Sequence, residues 1–327
     1  MTEREAPLLD VQDLRVEFPT PKGSIRGADD VSFRVWPAEI VGLVGESGCG
    51  KSVTTLALMR LTRPPGRIAS GRILFQGRDL LAMRESELRL LRGGAMAMIF
   101  QNPMTALDPV FTVGDQIGEV LRVHAKTQTG DVRRAAAAVL GRVRIPNAAA
   151  QVGAYPHQFS GGMAQRVMIG MGVAGEPSLL IADEPTTALD VSVQAQILDL
   201  LRAIRDELRT AIILITHDLA ITAQLCDRIV VMYAGQVVET SPTRELYRAP
   251  RHPYTRGLLD SMPLLGQRRE RLAQIAGQPP DLAALPRGCR FAPRCPRAQA
   301  RCEAEEPTLT SVGGGREVRC FFPLEAA

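Results

Sequence analysis

An α/β fold on a parallel sheet covered on both faces is what this sequence predicts. Two observations carry that reading. Short apolar runs recur at Ile40–Val44, Arg72–Gln76, Ala95–Phe100, Leu179–Ala182, Ala211–Thr216 and Arg228–Tyr233. Helical patterns lie between them, at Lys51–Leu61, Asp131–Val143, Gly161–Gly172 and Val191–Leu208. Apolar strands without alternation, separated by helices, are the mark of strands buried on both faces.

The remaining elements follow in chain order. Val11, Leu14, Val16 and Phe18 precede a turn at Pro19 to Gly23, and Val31, Phe33 and Val35 alternate with polar neighbours. That pattern predicts an antiparallel β region at the N-terminus. Residues 103–175 read as mainly helical and are expected to form a helical subdomain inserted between two core strands. Beyond about Thr240 proline becomes frequent and long periodic segments stop. The expected division is therefore residues 1–245 and a small Pro/Cys-rich module at 246–327, held by something other than a large core.

With 327 residues, 39 basic and 35 acidic side chains, the chain has a formal net charge of +4. That balance is too mild for a nucleic-acid-binding protein. The opening residues carry charges at Glu3, Arg4 and Glu5, so no secretory signal is expected. No apolar run reaches the ~18 residues of a membrane span. A soluble, cytoplasmic chain is expected, and any membrane partner must supply its own span.

Gly45-Glu46-Ser47-Gly48-Cys49-Gly50-Lys51-Ser52 fits G-x-x-x-x-G-K-[ST], between a strand and a helix. Glycines let backbone N–H groups wrap phosphates at a helix N-terminus. Lys51 is placed to reach the β- and γ-phosphates and Ser52 to bind Mg²⁺. A glycine turn without function is the plain alternative, and Cys49 reads as a small loop residue. Leu179–Ala182 ends in Asp183 and Glu184. Asp183 is placed for the Mg²⁺ shell and Glu184 to polarise a water as general base. Alone, the pair would equally suit a strand ending in solvent. Ser160, before Gly161 and Gly162, is a plausible helix N-cap, whose N–H groups also suit an anion. His217, after the strand Ala211–Ile215, is structural or a γ-phosphate sensor at the same sheet edge as Gly45 and Glu184.

These motifs, with Gln101 after Ile99-Phe100 and with Ala188-Leu189-Asp190, make residues 8–240 resemble an ATP-binding-cassette ATPase. The resemblance implies a RecA-like core, ATP and Mg²⁺ at residues 45–53, Val53 included, and catalysis by Lys51, Glu184 and His217. It implies that Gln101 links Mg²⁺ to a transport subunit. It also implies that Ser160, Gly161 and Gly162 contact the γ-phosphate held by an opposite subunit, and that Asp190 lies at the dimer interface. Phe18 is the candidate for stacking on adenine. Met163 and Phe159 depart from the broad family, where glutamine and leucine are usual.

Arg251-His252-Pro253-Tyr254-Thr255-Arg256-Gly257-Leu258-Leu259, Ile275–Pro280 and Gly288–Pro296 resemble the tail of oligopeptide and dipeptide import ATPases. That resemblance implies an import complex with two transmembrane permease subunits, a sister ATPase completing a heterodimer, and an external peptide-binding protein. The ATPase would sit at the cytoplasmic face of the cell membrane. Close relatives handle nickel and other solutes, so the same machine with another cargo is the alternative. A cassette ATPase of DNA repair or translation fits poorly, since the chain has one cassette and no sustained heptads. A silent partner that only binds ATP is opposed by the presence of Glu184 and His217.

Four of the six cysteines, Cys289, Cys295, Cys302 and Cys320, fall in the last 39 residues. In a reducing compartment such clustering points to metal before disulfides. The C-x5-C-x6-C-x17-C spacing matches neither a zinc knuckle nor a standard ferredoxin run. Arg287, Arg290, Arg294, Arg301 and Arg319 are expected to surround the thiols and favour thiolates. The family resemblance implies a [4Fe–4S] cluster. Zinc is the alternative, and unliganded or disulfide-bonded cysteines the third reading. Cys226, in a helix candidate, reads as buried packing.

Overall fold

The computed structural model describes residues 6–21, 23–125, 131–187, 189–262 and 274–325. Glu3, Arg4 and Glu5, residue 22 of the expected turn, and Ala188 lie outside the described residues. The chain divides into two compact units. One comprises Met1–Val35, Val41–Leu81 and Thr216–Ala327, the other Trp36–Ile40 and Ala82–Ile215.

The first unit begins with an antiparallel sheet. Strand β1 (Leu9–Thr20) pairs with β2 (Gly23–Val35) and with β4 (Arg67–Phe75), and β5 (Arg78–Asp79) borders β4. The sheet is expected for β1 and β2, while the run at Arg72–Gln76, expected in the parallel sheet, joins it instead through β4. Leu9 and Val11 face inward, but so do Leu14 and Val16. An inward set cannot pass from odd to even positions in a regular strand, where the side-chain period is 2. A bulge between Val11 and Leu14 makes the change, with Asp13 at φ +50°. Gly71 on β4 permits it. A Cβ there would stand 2.6 Å from Leu14 Cα and 2.7 Å from the Asp13 carbonyl oxygen. Strand β3 (Ile40–Val44) follows, and helix α1 (Lys51–Leu58) ends three residues short of the expected Leu61.

The second unit opens with α2 (Glu85–Leu91) and β6 (Met96–Ile99). Strands β6, β7 (Leu179–Asp183) and β8 (Ala211–Thr216) pair in parallel, with Ile99 beside Ala182 and Ile181 beside Ile213. Leu179 to Ala182 and Ala211 to Ile215 are 0% exposed, as continuous apolar strands require. Between residues 103 and 175 the described residues form helices and no strand. These are α3 (Pro103–Ala106), α4 (Val113–His124), α5 (Val132–Arg142), α6 (Ala148–Gln151) and α7 (Gly161–Val173), followed later by α8 (Val191–Leu208). Helix α4 lies inside the stretch expected to be helical, although no separate pattern marks it. Thr112 caps it, accepting from the Asp115 N–H at 3.1 Å.

The first unit resumes with α9 (Leu219–Leu225) and β9 (Arg228–Tyr233), which lies parallel to β3. Cys226 is not helical. It is the extended residue that ends α9, buried beside Gly42, and burial pushes its thiol up. Strand β10 (Gln236–Pro242) returns against β9 through a turn at Ala234 and Gly235. Then come α10 (Thr243–Arg248), α11 (Pro253–Asp260), α12 (Ala300–Ala304), β11 (Thr310–Gly313) and β12 (Arg316–Val318). The tail joins the unit by sheet pairing, with Glu239 of β10 opposite Val318 of β12.

Charges complete the attachment. Glu239 is wholly buried, and its carboxylate accepts the Arg251 and His252 N–H groups at 2.8 Å each. Arg319 donates to Asp30 at 2.8 Å, and Arg290 pairs with Asp29. The side chains of Arg290 and Asp29 are 5% and 3% exposed. Burial would raise the Asp29 carboxyl, but the guanidiniums of Arg290, Arg26 and Arg15 outweigh it and hold the group below its ordinary value.

Removing one partner of a buried pair leaves the other charge uncompensated, so Asp29→Ala is expected to cost about 3–5 kcal/mol in urea unfolding. Because the folded carboxyl titrates below its unfolded value, its contribution is present above the ordinary carboxylate range. It is lost as the pH falls through the lowered value. The gap between Asp29→Ala and the parent should therefore narrow in acid.

Candidate functional site

Residues 45–50 link β3 to α1. Gly45, Gly48 and Gly50 sit at φ +154°, +77° and +105°. At Gly45 a Cβ would stand 2.2 Å from the Met232 carbonyl oxygen, and at Gly50 2.2 Å from that of Gly27. The loop is thus pressed against two backbones, and only glycine fits at those positions. The first N–H groups of a helix have no partner within it, and α1 has no acidic residue in its first turn. The arrangement suits an anion. Lys51 Nζ lies over the loop, donating to the carbonyl oxygens of Gly45 at 2.7 Å and Glu46 at 3.0 Å. Ser52 is exposed at the head of α1. Gly27 lies between the Phe18 ring and the Val53 side chain, 3.0 and 3.1 Å from where its Cβ would be. Phe18 therefore borders the start of α1.

Glu46, Ser47 and Cys49 have surroundings that the sequence did not foretell. The Glu46 N–H donates to Tyr254 Oη at 3.0 Å, and its carboxylate accepts both Nη atoms of Arg294, at 2.7 and 3.0 Å. Ser47 borders a recess closed by Pro279, Pro280 and Leu282. Cys49 is 4% exposed, and burial pushes its thiol up. The Cys49 carbonyl oxygen accepts the Gly235 N–H at 2.8 Å. A lone acid in an otherwise neutral loop, together with the arginine-rich tail, was the available signal for the Arg294 contact.

In the second unit, Glu184 follows β7 at φ +46°, and its N–H donates to the Ile215 carbonyl oxygen at 3.0 Å. Glu184 Oε2 accepts from Gln101 Nε2 at 2.9 Å and from Thr187 Oγ1 at 2.8 Å. Gln101 and Thr187 thus both donate to the same carboxylate oxygen. Asp183 is half-buried at the end of β7. Ser160 caps α7, accepting from the Met163 N–H at 3.4 Å. Gly162 faces Val193, whose Cγ1 would be 2.6 Å from a Cβ there, and Asp190 caps α8 by accepting from the Val193 N–H at 2.9 Å. Ser160–Gly162 and Asp190 are therefore neighbours. In the first unit His217 is exposed between β8 and α9.

Cys289, Cys295, Cys302 and Cys320 line one cavity with Phe291 and Phe321. Of the five arginines expected around them, Arg301 lies over the Phe321 ring at 4.0 Å, but three turn away. Arg290, Arg294 and Arg319 reach Asp29, Glu46 and Asp30 instead. Burial pushes Cys289 and Cys295 up, and Cys320 up to about 11. Arg297, which is not among those five, lines the cavity instead, and its charge only partly offsets the burial that raises Cys295. Among the described residues no group of three or more His, Cys, Asp or Glu side chains could hold a metal ion. Among those residues, too, no helix is long and apolar enough to cross a membrane.

Comparison with known proteins gives two family matches, "ABC transporter" over residues 28–187 and "Oligopeptide/dipeptide transporter, C-terminal region" over residues 238–302. A putative peptide import ATP-binding protein of Brucella abortus (strain 2308) is 50% identical over 317 residues, covering 97% of this chain and 95% of the relative. The dipeptide transport ATP-binding protein DppD of Escherichia coli (strain K12) is 49% identical over 320 residues, covering 98% of each chain. The cassette cbiO1 of Clostridium perfringens, part of the ABC transporter complex cbiONQ, superposes with TM-score 0.63 at 26% identity, over 74% of this chain and 91% of that one. A post-hydrolysis dimer of the cassette MJ0796 bound to ADP and Pi shares the fold, with TM-score 0.65 at 23% identity over 72% of this chain and 99% of that one.

The loop geometry separates Gly48, which the motif leaves open, from Gly45, which it requires. Gly48 has nothing within 4 Å of a Cβ position, so Gly48→Ala is expected to cost only the left-handed backbone penalty of about 1–2 kcal/mol. Gly45→Ala adds a clash with the Met232 carbonyl. Its unfolding midpoint in denaturant should drop by at least twice as much.

Proposed function

We infer the function from the premise that the chain belongs to the ABC transporter family and carries the C-terminal region of its oligopeptide/dipeptide transporters. It is the ATP-hydrolysing subunit that powers import of dipeptides or oligopeptides through a membrane complex. The observation that carries this is the loop 45–52, a glycine-built anion cradle at a helix head, in a chain half identical to peptide-import ATP-binding proteins along almost its whole length.

In this reading Gly45 to Val53 hold the phosphates of ATP, Lys51 reaches the β- and γ-phosphates, and Phe18 stacks on adenine. Ser52, Gln101 and Asp183 would hold Mg²⁺, which supplies neutralisation of the phosphate oxygens. Glu184 accepts the proton of the attacking water as the water oxygen bonds to the γ-phosphorus. The bond to the β–γ bridging oxygen breaks, and ADP and phosphate result. Gln101 and Thr187 aim the Glu184 carboxylate, and His217 contacts the γ-phosphate. Ser160, Gly161 and Gly162 serve the nucleotide of a second ATPase subunit, with Asp190 at that interface. Two permease subunits, a sister ATPase and an external peptide-binding protein complete the machine, with this chain at the cytoplasmic face. Residues 1–245 act as the cassette and 246–327 as its transporter-specific module.

The four tail cysteines would hold a [4Fe–4S] cluster. In support, all four line one cavity. Such a group would cross-link the segment 289–320 rather than do chemistry on substrate.

Glu184→Gln should lower ATP turnover by about 10²-fold or more while ATP still binds. Unchanged hydrolysis would remove Glu184 from the base role. For the cysteines, iron, sulfide and zinc are measured on protein purified without oxygen. About four irons and four sulfides per chain is the expected result; one zinc and no iron would replace the cluster with a plain clip.

A further inference from the structure

The segment 289–295 faces two ways. Cys289 and Cys295 line the thiol cavity, while their sequence neighbours Arg290 and Arg294 turn to the phosphate loop. Arg294 grips both carboxylate oxygens of Glu46, and its Nε donates to the Ala276 carbonyl oxygen at 3.0 Å. Arg290 Nη1 donates to the Ala234 carbonyl oxygen at 2.7 Å, and the adjoining Gly235 N–H holds the Cys49 carbonyl oxygen. Phe291, between them, packs edge-on to Tyr254, whose hydroxyl takes the Glu46 N–H. One short segment thus fixes the phosphate loop near both ends. Arg294 also cancels a charge: a bare carboxylate at position 46 would repel phosphate, and a bidentate guanidinium neutralises it and fixes its direction.

We propose that Arg294 is a positioning residue for the phosphate loop, and that the order of the cysteine cavity, transmitted through residues 289–295, sets how tightly the loop holds ATP. This rests on the reading that residues 45–52 bind nucleotide phosphate. The tail is then a regulator of the nucleotide site.

The test is equilibrium binding of Mg-ATP to the purified full-length chain. Arg294→Gln should weaken binding about tenfold by leaving Glu46 charged and loose. Glu46→Gln/Arg294→Gln should recover most of that loss, because the uncompensated charge is gone. A merely structural arginine would show no such recovery. Cys295→Ser should weaken binding several-fold in the parent and add nothing to Arg294→Gln. Arg294→Lys keeps a charge in the buried position, so it reports if the glutamine variant does not fold. About threefold weaker binding is expected there, and unchanged affinity counts against the proposal. Parent-like affinity in Arg294→Gln, no recovery in the double variant, or parent-like affinity in Cys295→Ser each overturns it. Lys51→Ala is the control on the premise. If it loses ATP while Arg294→Gln does not, the phosphate site stands and the coupling falls. If Lys51→Ala binds ATP normally, the premise falls and the proposal with it.

Discussion

Arg290, Arg294 and Arg319 of the tail have side chains only 5%, 4% and 4% exposed. Taking such a cation out of water costs several kcal/mol unless a counter-charge and further hydrogen bonds receive it. The folding of the C-terminal region therefore depends on where those carboxylates are. All three lie in the N-terminal part of the same unit: Asp29 and Asp30 on β2, and Glu46 in the loop after β3. Each guanidinium also donates to a backbone carbonyl, which uses its remaining N–H groups. The tail is ordered by its fit to these acceptors as much as by apolar burial.

That arrangement explains how a proline-rich segment with little periodic apolar sequence holds together. Its own core is small: Tyr254, Phe291 and Cys302 are buried, with Tyr233 of β9 packed against the two aromatic rings. Glu239 supplies the other anchor, an acid inside the sheet whose two oxygens are occupied by consecutive backbone N–H groups. Burial still raises its carboxyl, because the backbone donors and Arg316 only partly offset the loss of water. Sheet pairing of β12 with β10, the aromatic cluster and the paired arginines all lead back to the strands beside the phosphate loop.

The central strands were legible because burial on both faces leaves uninterrupted apolar runs. Ile40–Val44, Ala211–Thr216 and Arg228–Tyr233 fall where the sequence placed them. Val191–Leu208 was legible from its helical period. Glu184 was legible as a residue, but its contacts with Gln101 and Thr187 depend on how separate loops meet, which no local pattern encodes. The tail was misread for a related reason. An arginine beside a cysteine in sequence suggests charge beside a thiol, yet the tight turn at Ala292–Arg294 lets Arg290 and Arg294 reach Asp29 and Glu46 while Cys289 and Cys295 line the cavity. Strand β12 was missed because it has only three residues, and β10 because Glu239, Thr240 and Ser241 break its apolar run.

The pairing of tail arginines with β2 and loop carboxylates has a consequence for recombination among relatives. Two stretches that match separate family descriptions would ordinarily be treated as interchangeable parts. Here a graft of either stretch alone would strand guanidiniums or carboxylates in a dry interior unless the donor carried the same acids at the same places. Inheritance should therefore act on positions 29, 30, 46, 290, 294 and 319 as a linked set, and the seam between the parts is the least suitable place to cut.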